Sequence, residues 1–286
     1  MEKSKTIGIV APCSLPNNIE LEASISHLKK LGFEVENLSK YFSAPPFKKA
    51  KVLLEILSSG EFSWLWAARG GAGGIKLLPY IKKLAHDFEP KAGFIGFSDA
   101  TILHSCLYSI YKYKIPLLHA PVVTMLPYVC EDVLFALRDI IMEKTEVIKL
   151  RGKTFLPGYV KATVLGGNLA SFSALCGTEW FPKEPCILVI EEVNEPAYRI
   201  ERWIFQLIFN LKENLVGIVF GDLGEGIDPC KIFQGIREFL PKGVVVGYDF
   251  KIGHCDNNFP FFFGRVAELK AEKQEAILKQ EVPKEG

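Results

Sequence analysis

Five short, mostly apolar runs, Thr6–Ala11, Phe33–Leu38, Ser63–Ala68, Ala92–Phe97 and Leu117–His119, recur through the first 120 residues. The stretches between them, Glu20–Leu31, Phe47–Leu57, Ile75–Leu84 and Ala100–Tyr111, carry apolar residues at helical spacing. Apolar strands that alternate with helices make a parallel sheet covered on both faces. A doubly wound α/β domain is therefore expected. In such a sheet, ligands bind at the carboxyl ends of the strands.

The second half reads as a smaller α/β unit. Strands are expected at Tyr159–Leu165, Cys186–Ile190, Val216–Phe220 and Val244–Tyr248, with helices at Tyr198–Leu211 and Lys231–Leu240. The polar stretch before Pro157 reads as a linker. The expected division is residues 1–145, a linker at 146–157, and residues 158–286. The Lys- and Glu-rich tail after Leu269 reads as ending in solvent.

Composition removes several function classes. The 286 residues are 49% hydrophobic, with 34 basic and 33 acidic side chains and a formal charge of +1. That balance points to no nucleic-acid or membrane-surface partner. No run reaches the about 18 apolar residues of a membrane span. Pro12 and Pro16 interrupt the N-terminal apolar run, which does not read as a signal peptide. A soluble, cytoplasmic protein is expected. The seven cysteines include no CxxC pair. Most read as reduced, buried small residues, with no disulfide framework and no zinc site.

The sharpest local motif is Gly96-Phe97-Ser98-Asp99-Ala100, set between a strand and a helix. A serine on such a turn can be a nucleophile held clear of the sheet. The helix N-terminus behind it offers free amides and a positive dipole end. Serine is also a common helix N-cap, which is the plainer reading. Arg69-Gly-Gly-Ala-Gly-Gly74 follows another strand at the same sheet edge. Its glycines can bring amides close to a ligand or merely make a tight turn; the GK[ST] ending of a phosphate loop is missing.

Five histidines could supply a base: His27, His86, His104, His119 and His254. His254, in a loop after a strand, and His119, at a strand end, are favoured by position, without a decision between them. His104 should point away from the elbow or pack beneath it. Glu191 ends the buried run Ile187–Ile190, where a carboxylate can orient a base. Glu192 would face the other way if the strand continued.

Together these pieces resemble the LD-carboxypeptidase family of serine peptidases, which includes the microcin C self-immunity proteins. Val10-Ala-Pro-Cys-Ser14 is similar to the family's VAPSS start, and Arg69–Pro79 to its RGGYG-x-x-RLLP segment. Ile95–His104 resembles the GYSD-x-T nucleophile motif, and Leu117–Pro121 the HGP strand end. Leu165–Pro182, Ile187–Leu207 and Gly247–Gly264 are similar to its GGNL, LED-x-x-E-x-PYRIDR and GFPIGH-x-x-N blocks. By position, the resemblance implies Ser98 as nucleophile, Glu191 as acid and His254 as base. It also implies oxyanion donors at the amides of Asp99 and Gly71. The implied substrate is a murein tetrapeptide with an L–D amide to a terminal D-alanine; the implied assembly is a homodimer. His119 becomes a supporting residue. Ala72, Lys76 and Ala120 depart from the pattern, and Phe259–Phe263 is bulkier.

Two other readings stay open. An immunity-type amidase would cleave peptidyl or aminoacyl nucleotides, with Phe259–Phe263 as a possible stacking platform for adenine. A non-catalytic module would use the glycine loop to hold a peptide carboxylate.

Overall fold

The computed structural model describes residues 5–283. Strands β1 (Thr6–Val10), β2 (Glu34–Asn37), β3 (Trp64–Ala67), β4 (Gly93–Gly96) and β5 (Leu117–His119) form a parallel sheet in the order β5-β4-β3-β1-β2. β3 and β4 are buried at every position, as two-sided covering requires. Helices α1 (Asn18–Lys30), α2 (Pro46–Ser59), α3 (Leu78–Leu84) and α4 (Thr101–Tyr111) make the crossovers. Asn17 caps α1 by accepting from the Ile19 amide at 2.9 Å, and α2 opens on Pro46 and closes at Gly60. α5 (Glu131–Ile141), with Val133, Leu137 and Ile140 buried, is an additional helix that the strand–helix alternation does not reveal.

The second unit is a closed seven-stranded barrel. It contains β6 (Val147–Leu156), β7 (Gly158–Asn168), β8 (Cys186–Glu191), β9 (Leu215–Phe220), β10 (Val245–Tyr248), β12 (Val266–Glu272) and β13 (Glu275–Glu281). Its β7-β8-β9-β10 segment is parallel, crossed over by α6 (Leu169–Ser173), α7 (Ala197–Leu211) and α8 (Pro229–Ile236). α7 buries Ile200, Ile204, Leu207, Ile208 and Leu211, one stripe at helical spacing.

One expectation fails here. Residues 146–157 are not a linker: β6 pairs with β13 and β10 and is needed to close the barrel. The Lys- and Glu-rich stretch after Leu269 is strand up to Glu281, apart from the turn between β12 and β13. In β12 and β13 every second residue turns inward (Ala267, Leu269, Ala271; Ala276, Leu278, Gln280), and the charges between them face out. A barrel strand with one wet face reads as polar in sequence. The solvated end expected for the last few residues falls at 284–286, outside the described residues.

The two units are also laced together. β11 (Phe261–Phe263) comes from the second half of the chain yet pairs antiparallel with β5, adding a sixth strand to the first sheet. Gln280 of β13 reaches across, accepting from the Phe262 amide at 2.7 Å and donating to its carbonyl at 2.8 Å. No helix among the described residues is long and apolar enough to cross a membrane.

Candidate active site

The carboxyl edge of the parallel sheet meets the end of β7, where a Cβ on Gly167 would stand 2.8 Å from the His119 ring. Ser98 sits on the turn between β4 and α4 with φ at +59°, a left-handed conformation. For a non-glycine residue that costs energy, and such strain persists only where the surroundings impose it. Ser98 is partly exposed, while Phe97, Asp99 and Ala100 around it are buried. Asp99 is the second residue of a short 3-10 turn that leads into α4. Early amides of such a turn have no acceptor within it.

The glycine loop lies against this turn. A Cβ on Gly70 would stand 2.8 Å from Ser98 Cβ. Asp99 binds the two segments together, its Oδ2 accepting from the Gly74 amide at 2.8 Å. Burial, above all, raises the Asp99 pKa, and the Gly74 amide counters it. Ser14 stitches the loop from the other side. Its amide donates to the Gly70 carbonyl (3.1 Å), and its Oγ accepts from the Ala72 amide (3.0 Å). The Gly71 amide has no hydrogen-bond partner among the described residues. Gly71 has φ +85°, and a Cβ there would stand 2.8 Å from Ser14 Cβ and nearer still to its Oγ. Only glycine fits.

From the barrel side, Glu191 ends β8 wholly buried, and its Oε2 lies 2.8 Å from His254 Nδ1. His254 is 21% exposed, in the loop after β10. Gly253, φ +133°, lets that loop press on the strand ends; a Cβ there would stand 2.8 Å from Asp222 Cβ and 3.2 Å from Glu191 Cβ. Asn258 Oδ1 secures the loop by accepting from the Gly253 amide at 3.0 Å. The His254 ring lies on Phe97, the neighbour of Ser98, at 4.4 Å between centroids. The structure thus joins Glu191 to His254 directly and sets the ring beside the serine turn. Among the described residues no hydrogen bond links Ser98 Oγ to the ring. Such contacts commonly tighten only with substrate bound.

Burial lowers the proton affinity of His254. The hydrogen bond and charge of Glu191, with the charges of Glu192 and Asp222, more than offset it and leave the pKa above the ordinary value. Burial raises the Glu191 pKa, against the hydrogen bond and charge of His254. With Glu191 accepting from Nδ1–H, the lone pair stays on Nε2. That arrangement can take a proton from a hydroxyl.

The other histidines separate clearly. His119 is buried under Phe97 (5.1 Å, edge to face) and stacks on Phe261 at 4.5 Å. His104 packs between Phe94 and Phe263. Burial pushes both pKa values down, His104 to about 3. His86 is on the surface, and His27 bonds its own helix through Ala23. Phe261, Phe262 and Phe263 are buried in β11, so they cannot serve as an adenine platform. Sequence reasoning missed Ser14 and Asn168 and gave Glu192 no role. Asn168 stands in the GGN segment and was legible only as part of a motif.

The first half of the chain, residues 7–119, matches the model of the LD-carboxypeptidase N-terminal domain, and residues 161–269 match that of the C-terminal domain. The chain belongs to the LD-carboxypeptidase family. This is a family of peptidases, hence hydrolases. Curated relatives include the murein tetrapeptide carboxypeptidase of Pseudomonas aeruginosa, 26% identical over 231 residues (74% of each chain). The probable murein peptide carboxypeptidase of Bacillus subtilis is 24% identical, covering 97% of this chain and 92% of its own. Among solved structures, a muramoyltetrapeptide carboxypeptidase from Oxalobacter formigenes has the same fold, with TM-score 0.81 and 22% identity over 96% of this chain and 98% of its own. The wild-type apo microcin C7 self-immunity protein shares it too, with TM-score 0.82 and 16% identity over 98% and 97%. The family fold therefore carries both kinds of protein.

Proposed function

We propose that the protein is a serine carboxypeptidase that hydrolyses the L–D amide to the terminal D-alanine of murein tetrapeptides. The observation that carries this reading is the 2.8 Å contact of buried Glu191 with His254, held beside the strained Ser98 turn. Ser98 Oγ attacks the carbonyl carbon while its proton passes to His254 Nε2. Glu191 holds the ring in the needed tautomer and stabilises the imidazolium. The Asp99 and Gly71 amides face the developing oxyanion, each worth about 3–4 kcal/mol in a transition state of this type. His254 then gives its proton to the departing amine of D-alanine. Water, deprotonated by the same ring, releases the acyl group from Ser98. A cytoplasmic setting and a homodimeric state come with the family resemblance and remain part of the proposal.

The test is direct. Wild-type protein and Ser98→Ala are incubated with a murein tetrapeptide, and D-alanine release is followed by mass spectrometry. Release by the wild type alone is expected. Equal release by both removes Ser98 as nucleophile. If neither releases D-alanine while an aminoacyl-sulfamoyl nucleotide is cleaved, the immunity-type amidase reading takes its place. Turnover of neither substrate would leave the non-catalytic binding reading.

A further inference from the structure

A second carboxylate stands next to the candidate acid and is just as deeply buried. Glu192 is 3% exposed, and its hydrogen bonds go elsewhere than to His254. Its Oε1 accepts from Asn168 Nδ2 at 3.0 Å and from the Val193 amide at 2.9 Å; its Oε2 accepts from the Ala170 amide at 2.9 Å. Three donors from two separate segments converge on it. Burying a carboxylate is costly, and a full set of donors is what makes it tolerable.

The partner of Glu192 continues the chain of contacts. Asn168 caps α6, its Oδ1 accepting from the Ser171 amide at 3.1 Å. The Asn168 amide donates to Thr101 Oγ1 at 3.2 Å. Thr101 is the first residue of α4, three positions after Ser98. A continuous path therefore runs from Glu192 through Asn168 to Thr101, from the strand that carries Glu191 to the helix that carries Ser98. It crosses from the barrel to the parallel sheet beside the candidate triad. The close fit of this seam leaves little slack. A Cβ on Gly167 would stand 2.8 Å from the His119 ring and 2.9 Å from Thr101 Oγ1.

We propose that Glu192 is a positioning residue, whose grip on Asn168 and, through it, on Thr101 sets Ser98 at working distance from the Glu191–His254 pair. The inference rests on the serine-hydrolase reading of the site. Glu192 acts through other residues and need not meet substrate. It also contributes charge. The titratable groups around His254 are Glu191 and Glu192 at the end of β8, Asp222 after β9, the neighbouring Cys255, and His119 of β5 behind Phe97. Glu192 is one of the three carboxylates there that favour the protonated ring.

The test compares Glu192→Gln, Glu192→Asp, Thr101→Val and the Glu192→Gln/Thr101→Val double variant. Each is assayed for kcat and KM of D-alanine release across pH, and for the rate at which a small fluorophosphonate labels Ser98. Gln keeps the length but loses one acceptor and the charge. Asp keeps the charge but is too short to hold all three donors. An offset of about 1 Å at a reacting centre costs up to about 100-fold. Expected, then, is a fall of about 10- to 100-fold in kcat for each single variant, with KM little changed. The double variant should fall no further than the worse single, because both changes break one path. The acid limb of the pH profile should move down for Gln and stay in place for Asp, which a loss of packing alone would not produce. Wild-type kcat and pH profile in Glu192→Gln overturn the proposal, as does full additivity in the double variant. Thr101→Val keeps the question answerable if the Glu192 variants fold poorly. Labelling separates the role of Glu192 from the identity of the substrate. If the wild type is labelled but releases no D-alanine, the substrate reading fails, and the same pattern of labelling rates still decides the role of Glu192.

Discussion

Replacing Gly71 by alanine tests the loop half of the proposed oxyanion site, and Gly32 supplies the control. Both glycines have left-handed φ values, +85° and +92°. A side chain at either pays about 1–2 kcal/mol of backbone strain. At Gly32 the added Cβ meets nothing within 4 Å, so strain is the whole effect. At Gly71 the Cβ would stand 2.8 Å from Ser14 Cβ, and one of the two must move. Moving Ser14 breaks its bond from the Ala72 amide and its donation to the Ala72 carbonyl (3.2 Å). Each such bond contributes about 0.5–1.5 kcal/mol net. Gly71→Ala should therefore cost about 2–5 kcal/mol of stability and Gly32→Ala about 1–2. In the reaction the two should separate more widely. A shifted Gly71 amide no longer meets the oxyanion, which lowers kcat by about 100- to 1000-fold with little change in KM. Gly32→Ala should keep wild-type kcat. The assays are urea unfolding and steady-state D-alanine release below the melting temperature. A Gly71→Ala enzyme within about threefold of wild-type kcat would refute the donor assignment, since a lost donor costs far more than that. An equal kcat loss in both variants would refute the local explanation.

Other outcomes are expected. Glu191→Gln should retain the shape of the site but lose the tautomer it imposes, lowering kcat by about 10⁴-fold; pre-steady-state acylation reads the step affected, and a loss under tenfold would count against Glu191 as the acid. The acid limb of kcat/KM should have its midpoint above pH 6.5, because the raised pKa of His254 must be passed before Nε2 can accept a proton; a midpoint well below that value would argue for another base. Stability should fall in acid through His104. Its folded pKa, about 3, lies below the unfolded 6.5, so between these values the unfolded chain binds the extra proton. The loss is up to about 1.4 kcal/mol per pH unit on descending from 6.5. His104→Phe, set among Phe94 and Phe263, should flatten that slope; urea melts at pH 7 and 4.5 compare the two, and an unchanged slope would sink the assignment.

Much of the fold was legible because burial on both faces leaves an unmistakable trace. β3 and β4 read as strands since every residue is covered, and α7 reads as a helix since its apolar stripe repeats once per turn. The Ser98 turn was legible for a related reason: a strand, a small-residue turn and a helix follow one another along the chain. β6, β12 and β13 were not. Each has one face in water, so their charged positions look like linker and tail until the barrel closes.

The site divides along the same line. The chain by itself determined which segments end at a sheet edge, and therefore which serine, carboxylates and histidines could meet there. It could not choose between His119 and His254 from the residues alone, because both end up near Ser98. The tertiary structure sets the two apart. Phe97 and Phe261 pack on buried His119, and burial lowers its proton affinity; Glu191 meets His254 at 2.8 Å across 63 positions of sequence. The linkage of Glu192 to Thr101 through Asn168 was likewise decided only in three dimensions. A hydrogen bond depends on distances of a few tenths of an ångström, and those are fixed by how the barrel packs on the sheet rather than by spacing along the chain.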